Sequence, residues 1–210
     1  MSKAQDLRQR FKQMMAGDKL IVAPGVYDGL TATLSTRTGF DAIYMTGAGT
    51  AAQKGYPDYG LLTMTEMVAN AETIATATDM PVVADADTGY GNELNVTRTV
   101  QEFERAGVAA MHLEDQVMPK KCGHLDGKQL VPVEEHSAKI RAACDTRSED
   151  GILVIGRTDA VSVEGVGPAI ERAHAYGEAG ADALFVEGLP AEADVTRAVA
   201  ELADWPLVYA

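Results

Sequence analysis

Gly107-Val-Ala-Ala-Met-His-Leu-Glu114 carries the pattern that decides the fold. Its glycine suits the left-handed backbone that closes a helix, and the apolar run behind it ends on a polar residue. The same design recurs at Gly39-Phe-Asp-Ala-Ile-Tyr-Met-Thr46 and at Gly180-Ala-Asp-Ala-Leu-Phe-Val-Glu187. Each copy reads as a helix end, a turn and a buried strand with a polar last residue. Parallel α/β barrels place their chemistry at the carboxyl ends of such strands, so Thr46, Glu114 and Glu187 become candidate mouth residues.

Around these copies, short apolar runs alternate with helical patterns. The expected strands are Leu20–Val26, Ala42–Gly47, Pro81–Asp87, Ala109–Gln116, Leu153–Asp159, Ala183–Gly188 and Pro206–Ala210, each bounded by Gly, Pro or a charged turn. Thr63-Met-Thr-Glu66 has the form of a capping box and predicts a helix to about Thr78. Pro132 with Glu134 and Glu135 suits another helix start, since Pro is tolerated there and acids favour the dipole. Alternation of this kind implies parallel strands joined by crossover helices. Seven strands are expected, whereas a complete (β/α)8 barrel has eight strands and about 250 residues. With no linker or low-complexity segment, the simplest partition is one domain over residues 1–210.

The chain has 210 residues, 46% of them hydrophobic, which is enough for a substantial core. A net charge of −13 opposes binding to nucleic-acid phosphates or anionic membranes. The two cysteines, Cys122 and Cys144, lack metal-finger spacing and are too few for a disulfide scaffold. No apolar run has signal-peptide or membrane-spanning character, and the expected location is the reducing cytoplasm.

The strongest chemical signal is Val82-Val-Ala-Asp85-Ala-Asp87-Thr-Gly89. At strand period its two aspartates project to one side, and a cation is the usual remedy for their repulsion. Oxygen ligands of this kind suit Mg2+, with Mn2+ as the alternative. Turn formation by Asp87 and Thr88 is the rival reading. In His112-Leu-Glu114-Asp115-Gln116, Glu114 and Asp115 point to opposite sides, so at most one faces the mouth; His112 reads as a wall residue. The loop after that strand concentrates Lys120, Lys121, Cys122 and His124 between glycines. Neighbouring cations favour a thiolate, and the glycines allow a lid to move. The alternative is an exposed basic loop. Cys144, in a helical stretch, reads as packing. Arg157, at a strand end, could fork onto a substrate carboxylate or pair with a neighbouring acid. Asp58 follows the second strand in a glycine-containing loop.

Together these residues resemble the isocitrate lyase and phosphoenolpyruvate mutase superfamily, from Ala23-Pro-Gly-Val-Tyr-Asp28 to the last strand. Lys120-Lys-Cys-Gly-His124 looks like its lyase signature, beside Asp85-Ala-Asp87-Thr-Gly and His112-Leu-Glu114-Asp-Gln. The resemblance implies an α/β TIM-type (β/α)8 barrel that binds Mg2+ and a small dicarboxylate or tricarboxylate substrate. It implies Asp85 as direct metal ligand, with Asp58, Asp87 and Glu114 holding metal-bound waters. It implies Tyr44, Thr46 and Gly47 at the keto-acid carboxylate, and Gly123, Glu187 and Arg157 also at the substrate. It implies Cys122 as catalytic acid, with Lys120 and His124 tuning the thiol, in a carbon–carbon lyase for substituted malates. Tyr44 and a metal-bound water are both open as the base. Oxaloacetate decarboxylation, related α-keto-acid hydrolysis, and binding without turnover are the alternatives. The family's eighth strand, its C-terminal helices and its homo-oligomeric (tetrameric) contacts fall past Ala210, so a truncated barrel is expected.

Overall fold

A computed structural model describes residues 2–210, with Met1 outside them. The seven expected strands form, as β1 (Gly25–Val26), β2 (Ile43–Met45), β3 (Val82–Asp85), β4 (Ala110–Glu114), β5 (Leu153–Thr158), β6 (Ala183–Val186) and β7 (Leu207–Val208). They pair in chain order, each parallel to the next, in one sheet curled into a half-barrel. The crossovers carry α2 (Gly29–Thr36), α3 (Gly47–Gln53), α4 (Met64–Ala77), α5 (Glu93–Arg105), α6 (Val133–Thr146), α7 (Val161–Glu164), α8 (Val166–Glu178) and α9 (Glu192–Glu201). Two helix starts fall where the sequence puts them: Thr63 and Glu66 form a capping box on α4, and Pro132 immediately precedes α6. Gly39, Gly107 and Gly180 all have positive φ, from 82° to 109°, as the repeat requires.

Most strands are shorter than their apolar runs, and β1 departs furthest. Only Gly25 and Val26 pair with β2, while Leu20 and Val22 are exposed. Pro24 offers a carbonyl to Tyr44 N but has no N–H, so regular pairing cannot extend through it.

Side-chain parity divides the core in two. Ile43, Met45, Val82, Ala84, Met111, Leu113, Val154, Leu184 and Val186 face the helices and join one large apolar cluster. Ala42, Val83, Ala110, Leu153, Ile155, Ala183 and Phe185 face the other way and form a second cluster. The register keeps the inward residues level across strands: Val83 pairs Ala110, Asp85 pairs His112, His112 pairs Ile155, and Glu114 pairs Arg157. The interior is therefore apolar at the amino end and polar at the carboxyl end.

The amino end is covered by α1 (Lys3–Met15), a helix absent from the sequence reading. Its Phe11, with Met14 and Met15, packs into the inward cluster. Arg8 ties it to the sheet by donating from Nε to the Val108 carbonyl at 3.0 Å. A capping box between Ser2 and Gln5 starts this helix. Cys144 lies on α6 and donates to the Gly180 carbonyl at 3.1 Å, with burial pushing its thiol up to about 11, as suits a packing role. Among the described residues no helix is long and apolar enough to cross a membrane.

His136 on α6 is fully buried, stands edge-on to the Tyr176 ring at 4.5 Å, and has no partner for either nitrogen. Burial pushes its pKa down to about 3. Below its ordinary value the unfolded chain takes up a proton that the folded chain refuses. Stability is therefore lost as pH falls from about 6.5 towards 3. His136→Phe keeps a ring against Tyr176 and removes that proton. Urea unfolding across about pH 7 to 4 is expected to show a shallower loss for the variant, by up to a few kcal/mol; parallel curves would clear His136 of this role.

Candidate active site

The polar inward residues meet at the carboxyl end of the sheet. Asp85 closes β3, Glu114 closes β4, Arg157 lies near the end of β5, and Glu187 follows β6. All four are buried. Asp85, His112 and Glu114 can bring one ligand atom each within 4.8 Å of one another.

Asp85 is held on two sides by backbone. Gly47 N donates to its Oδ2 at 3.1 Å, and Asp87 N donates to its Oδ1 at 2.9 Å. A Cβ on Gly47 would stand 2.3 Å from Asp85 Oδ2, so only glycine allows this approach. Burial opposes ionisation of Asp85, but nearby positive charge overcomes it, from His112 only when that ring is protonated and from Lys120 and Arg157 throughout, and the carboxyl sits well below its ordinary pKa.

Asp87 is not a second strand residue. It turns off the sheet with φ 47°, in a turn where Tyr90 also has a left-handed φ of 61°. The shared direction of the two aspartates thus comes from the turn and not from strand period. Lys120 comes in from the loop between β4 and α6 and places Nζ 2.7 Å from Asp58 and 2.8 Å from Asp87. Burial disfavours this ammonium, yet the carboxylates of Asp85, Asp87, Glu114 and Asp58 raise its pKa above the ordinary lysine value. Lys120, expected from the resemblance to tune the thiol, thus pairs directly with two acids.

Tyr44 stacks on His112, with ring centroids 5.6 Å apart and planes 2° from parallel. Its hydroxyl lies 2.5 Å from His112 Nε2. Burial, helped by Asp85, holds the Tyr44 pKa well above its ordinary value, while burial lowers His112 to about 4. A neutral phenol and a neutral imidazole therefore share one hydrogen bond. Tyr44 and His112 thus stand together in the wall of the site, with His112 Nδ1 left without a partner.

Glu114 is the unbalanced member. Neither carboxylate oxygen has a hydrogen-bond partner, and Arg157 Nη1 stands 3.4 Å from Oε2. Burial raises its pKa well above the ordinary value. A buried carboxyl without a donor, beside the ionised Asp85, is a setting that a hard divalent cation would satisfy. On that test Asp85 and Glu114 fit such an ion, with Asp58 and Asp87 behind them.

Arg157 turns its fork to Asp159, with Nε and Nη2 each donating to a carboxylate oxygen at 3.0 Å. Nη2 is also 3.7 Å from Glu187, and the guanidinium lies 5.1 Å from the Phe185 ring centre. The salt bridge that rivals substrate binding in the sequence is thus present. Asp159 was legible only as part of the strand-end motif; standing two residues from Arg157, it shares its side of the strand. Gly123 rests on this group, where a Cβ would come within 2.8 Å of Arg157 and Glu187. Cys122, the residue before it in the chain, is half-buried. His124 is exposed, with Nδ1 3.7 Å from Glu187. Thr46 caps α3, accepting from Gly49 N. Asp115 faces away from the mouth, bonding Thr158, Asp159 N and Tyr176.

Residues 11–210 match the family model described as phosphoenolpyruvate phosphomutase. The chain is 52% identical over 189 residues to 2,3-dimethylmalate lyase of Eubacterium barkeri, covering 90% of this chain and 65% of that protein. It is 44% identical over 207 residues to 2-methylisocitrate lyase of Bacillus subtilis (strain 168), covering 99% and 68%. It therefore spans about two thirds of the length of these curated relatives. Among solved structures, that of a 2,3-dimethylmalate lyase superposes with a TM-score of 0.92 at 46% identity, covering 99% of this chain and 69% of that one. An oxaloacetate acetylhydrolase bound to 3,3-difluorooxalacetate gives 0.91 at 44% identity, covering 98% and 70%. A phosphonopyruvate hydrolase complexed with oxalate and Mg2+ gives 0.84 at 31% identity, covering 99% and 72%. With its strand order, its buried carboxylates and these likenesses taken together, the chain belongs to the phosphoenolpyruvate mutase and isocitrate lyase superfamily.

Proposed function

We propose that this chain forms the catalytic barrel of a divalent-metal-dependent carbon–carbon lyase that cleaves a substituted malate to pyruvate and a second carboxylate. The observation that carries this reading is the meeting, at one mouth, of Asp85 and the unpartnered Glu114 with the Cys122 loop seated on Arg157 and Glu187. Likeness to 2,3-dimethylmalate and 2-methylisocitrate lyases supports the substrate class.

Asp85 and Glu114 would hold Mg2+ or Mn2+, with Asp58 and Asp87 reaching it through water, and the ion would stabilise negative charge on substrate oxygens. The Mg2+ in the phosphonopyruvate hydrolase complex supports that choice of ion. Tyr44, hydrogen-bonded to His112, fixes the wall behind Asp85. Thr46 and Gly47, where α3 begins beside Asp85, would meet the substrate carboxylate. Arg157, with one guanidinium nitrogen clear of Asp159, supplies positive charge at the far side.

The reaction balances with one base and one thiol: the base takes the 2-hydroxyl proton, and a proton returned through solvent restores the Cys122 thiolate at the end of the cycle. Loss of the 2-hydroxyl proton turns C–O into C=O as the C2–C3 bond breaks. Its electron pair stays on C3, next to that carbon's carboxylate. Cys122 Sγ–H delivers a proton to C3, giving succinate from 2-methylisocitrate or propionate from 2,3-dimethylmalate. The loop over the mouth excludes the water that would otherwise compete as acid. His124, paired with Glu187 and two residues from the thiol, would add positive charge near it when protonated.

A second reading rests on the likeness to oxaloacetate acetylhydrolase: oxaloacetate, also a small α-oxyacid dianion, would be split by water. The two readings part in one assay. Pyruvate release from 2-methylisocitrate or 2,3-dimethylmalate with Mg2+ is expected, abolished by EDTA and restored by added Mg2+. Faster oxalate release from oxaloacetate would favour the second reading. A melting temperature raised by Mg2+ with neither product would reduce the chain to a binding protein.

Cys122→Ser is expected to lower kcat about 100-fold or more, the usual weight of a positioned acid, with KM little changed. Retention of a near-parental rate would remove the cysteine from its role. Gly47→Ala drives a methyl into the Asp85 carboxylate. It is expected to diminish the rise in melting temperature on adding Mg2+, and an unchanged rise would argue against Asp85 as the anchor.

A further inference from the structure

The loop from Val117 to Gln129 is held most firmly around its cysteine. Val117, Met118 and Pro119 are exposed, and so are His124, Leu125, Asp126 and Gly127. Between them the backbone is gripped at three successive residues. Lys121 N donates to Gln116 Oε1 at 3.0 Å, while Gln116 Nε2 donates to the Lys121 carbonyl at 2.8 Å. Cys122 N donates to the Asp58 carbonyl at 3.0 Å. Lys128 Nζ donates to the Gly123 carbonyl.

Gln116 is the member of this set with a specific chemical requirement. It satisfies both the N–H and the C=O of one residue, which needs a donor and an acceptor on one short planar group. A primary amide offers both, whereas a carboxylate offers acceptors alone. The side chain is buried, at 1% exposure, so each lost bond leaves a polar group without water. Its base is rigid too. Gln116 bridges Leu130 in antiparallel fashion, and the neighbouring Asp115 is locked by Thr158, Asp159 N and Tyr176. Gln116 follows Glu114 by two residues. One stiff strand end thus presents the carboxylate to the site and the amide to the loop.

We propose that Gln116 is a positioning residue for Cys122: its amide clamps the Lys121 backbone and so fixes the Cys122–Gly123 segment where Gly123 meets Arg157 and Glu187. The kinetic part of this proposal rests on the lyase reading above; the clamp itself does not. Without the amide, the segment before Cys122 keeps no side-chain anchor on the β4 side. Gly123, already in close contact with Arg157, Glu187 and Asp159, would then no longer be pressed onto them.

The test compares the parent chain with Gln116→Glu and Gln116→Met, both close to glutamine in size. Alkylation by iodoacetamide is followed at Cys122 and Cys144 by peptide mass spectrometry, beside melting temperature and, with Mg2+ and the malate substrates, kcat and KM. Cys144 lies on α6, away from the loop, and serves as an internal control. The expected result is a several-fold faster reaction at Cys122 in both variants, with Cys144 and the melting temperature nearly unchanged. The kcat is expected to fall about tenfold or more at nearly constant KM, the signature of a misplaced reacting group. Equal acceleration at both cysteines with a lowered melting temperature in both variants would mean general loosening, and unchanged alkylation would mean no clamp; either overturns the proposal. Should Gln116→Met alone loosen the fold, Gln116→Glu decides, since it keeps the acceptor for Lys121 N. If the parent turns over no malate, the alkylation rates still judge the clamp while the lyase reading fails separately.

Discussion

Too much negative charge in too little water is the constraint on which the rest of this structure depends. Asp58, Asp85, Asp87, Glu114, Asp159 and Glu187 converge at the mouth, and Lys120 and Arg157 are the cations paired with them. Each cation bridges at least two acids. Lys120 joins the segment between α3 and α4 to the turn after β3, and Arg157 joins the ends of β4, β5 and β6. The network is therefore also the fastening of the mouth. A buried ion pair seldom adds net stability, because desolvation offsets attraction, yet removing one partner from such a pair is costly. The charge balance thus specifies where the loops sit more than it strengthens the fold.

Stability has a different source. The apolar cluster between sheet and helices is continuous along the sheet, and α1 closes the amino end of the interior with Phe11. The two ends of the interior are consequently independent in kind. One is dry and packed, the other polar and covered by loops, an arrangement suited to chemistry at the strand ends. The register couples them, since a slip of one residue would exchange Asp85, His112 and Glu114 with Ala84, Met111 and Leu113.

What the sequence made legible follows from this division. Buried strands announce themselves as apolar runs, and a polar residue at the end of such a run is a mouth residue almost by construction. Asp85, Glu114, Arg157 and Glu187 could be found that way. The capping residues Thr63 and Glu66 were equally plain, because capping is local. The α1 helix went unread although Ser2 and Gln5 form its capping box and Leu7 and Phe11 its apolar face; the charged residues between them hid the spacing. Loop partners were out of reach for another reason. Whether Lys120 turns to the thiol or to Asp58 and Asp87 depends on contacts between segments far apart in the chain, and no local pattern encodes them. The same holds for Arg157, whose pairing with Asp159 and contact with the Cys122 loop arise only when β5 and that loop are brought together.

The turn after β3 keeps two side chains in backbone conformations that glycine would adopt with less strain, at Asp87 and Tyr90. Such conformations cost of order 1–3 kcal/mol each. Any search for a more heat-resistant form of this protein, guided by backbone geometry alone, would nominate both positions for replacement by glycine. At Asp87 it would relieve backbone strain by discarding one of the two acids that seat the loop lysine. Thermal hardiness and a closed mouth are therefore opposing design goals at this one turn, and an engineer would have to look elsewhere in the molecule for robustness.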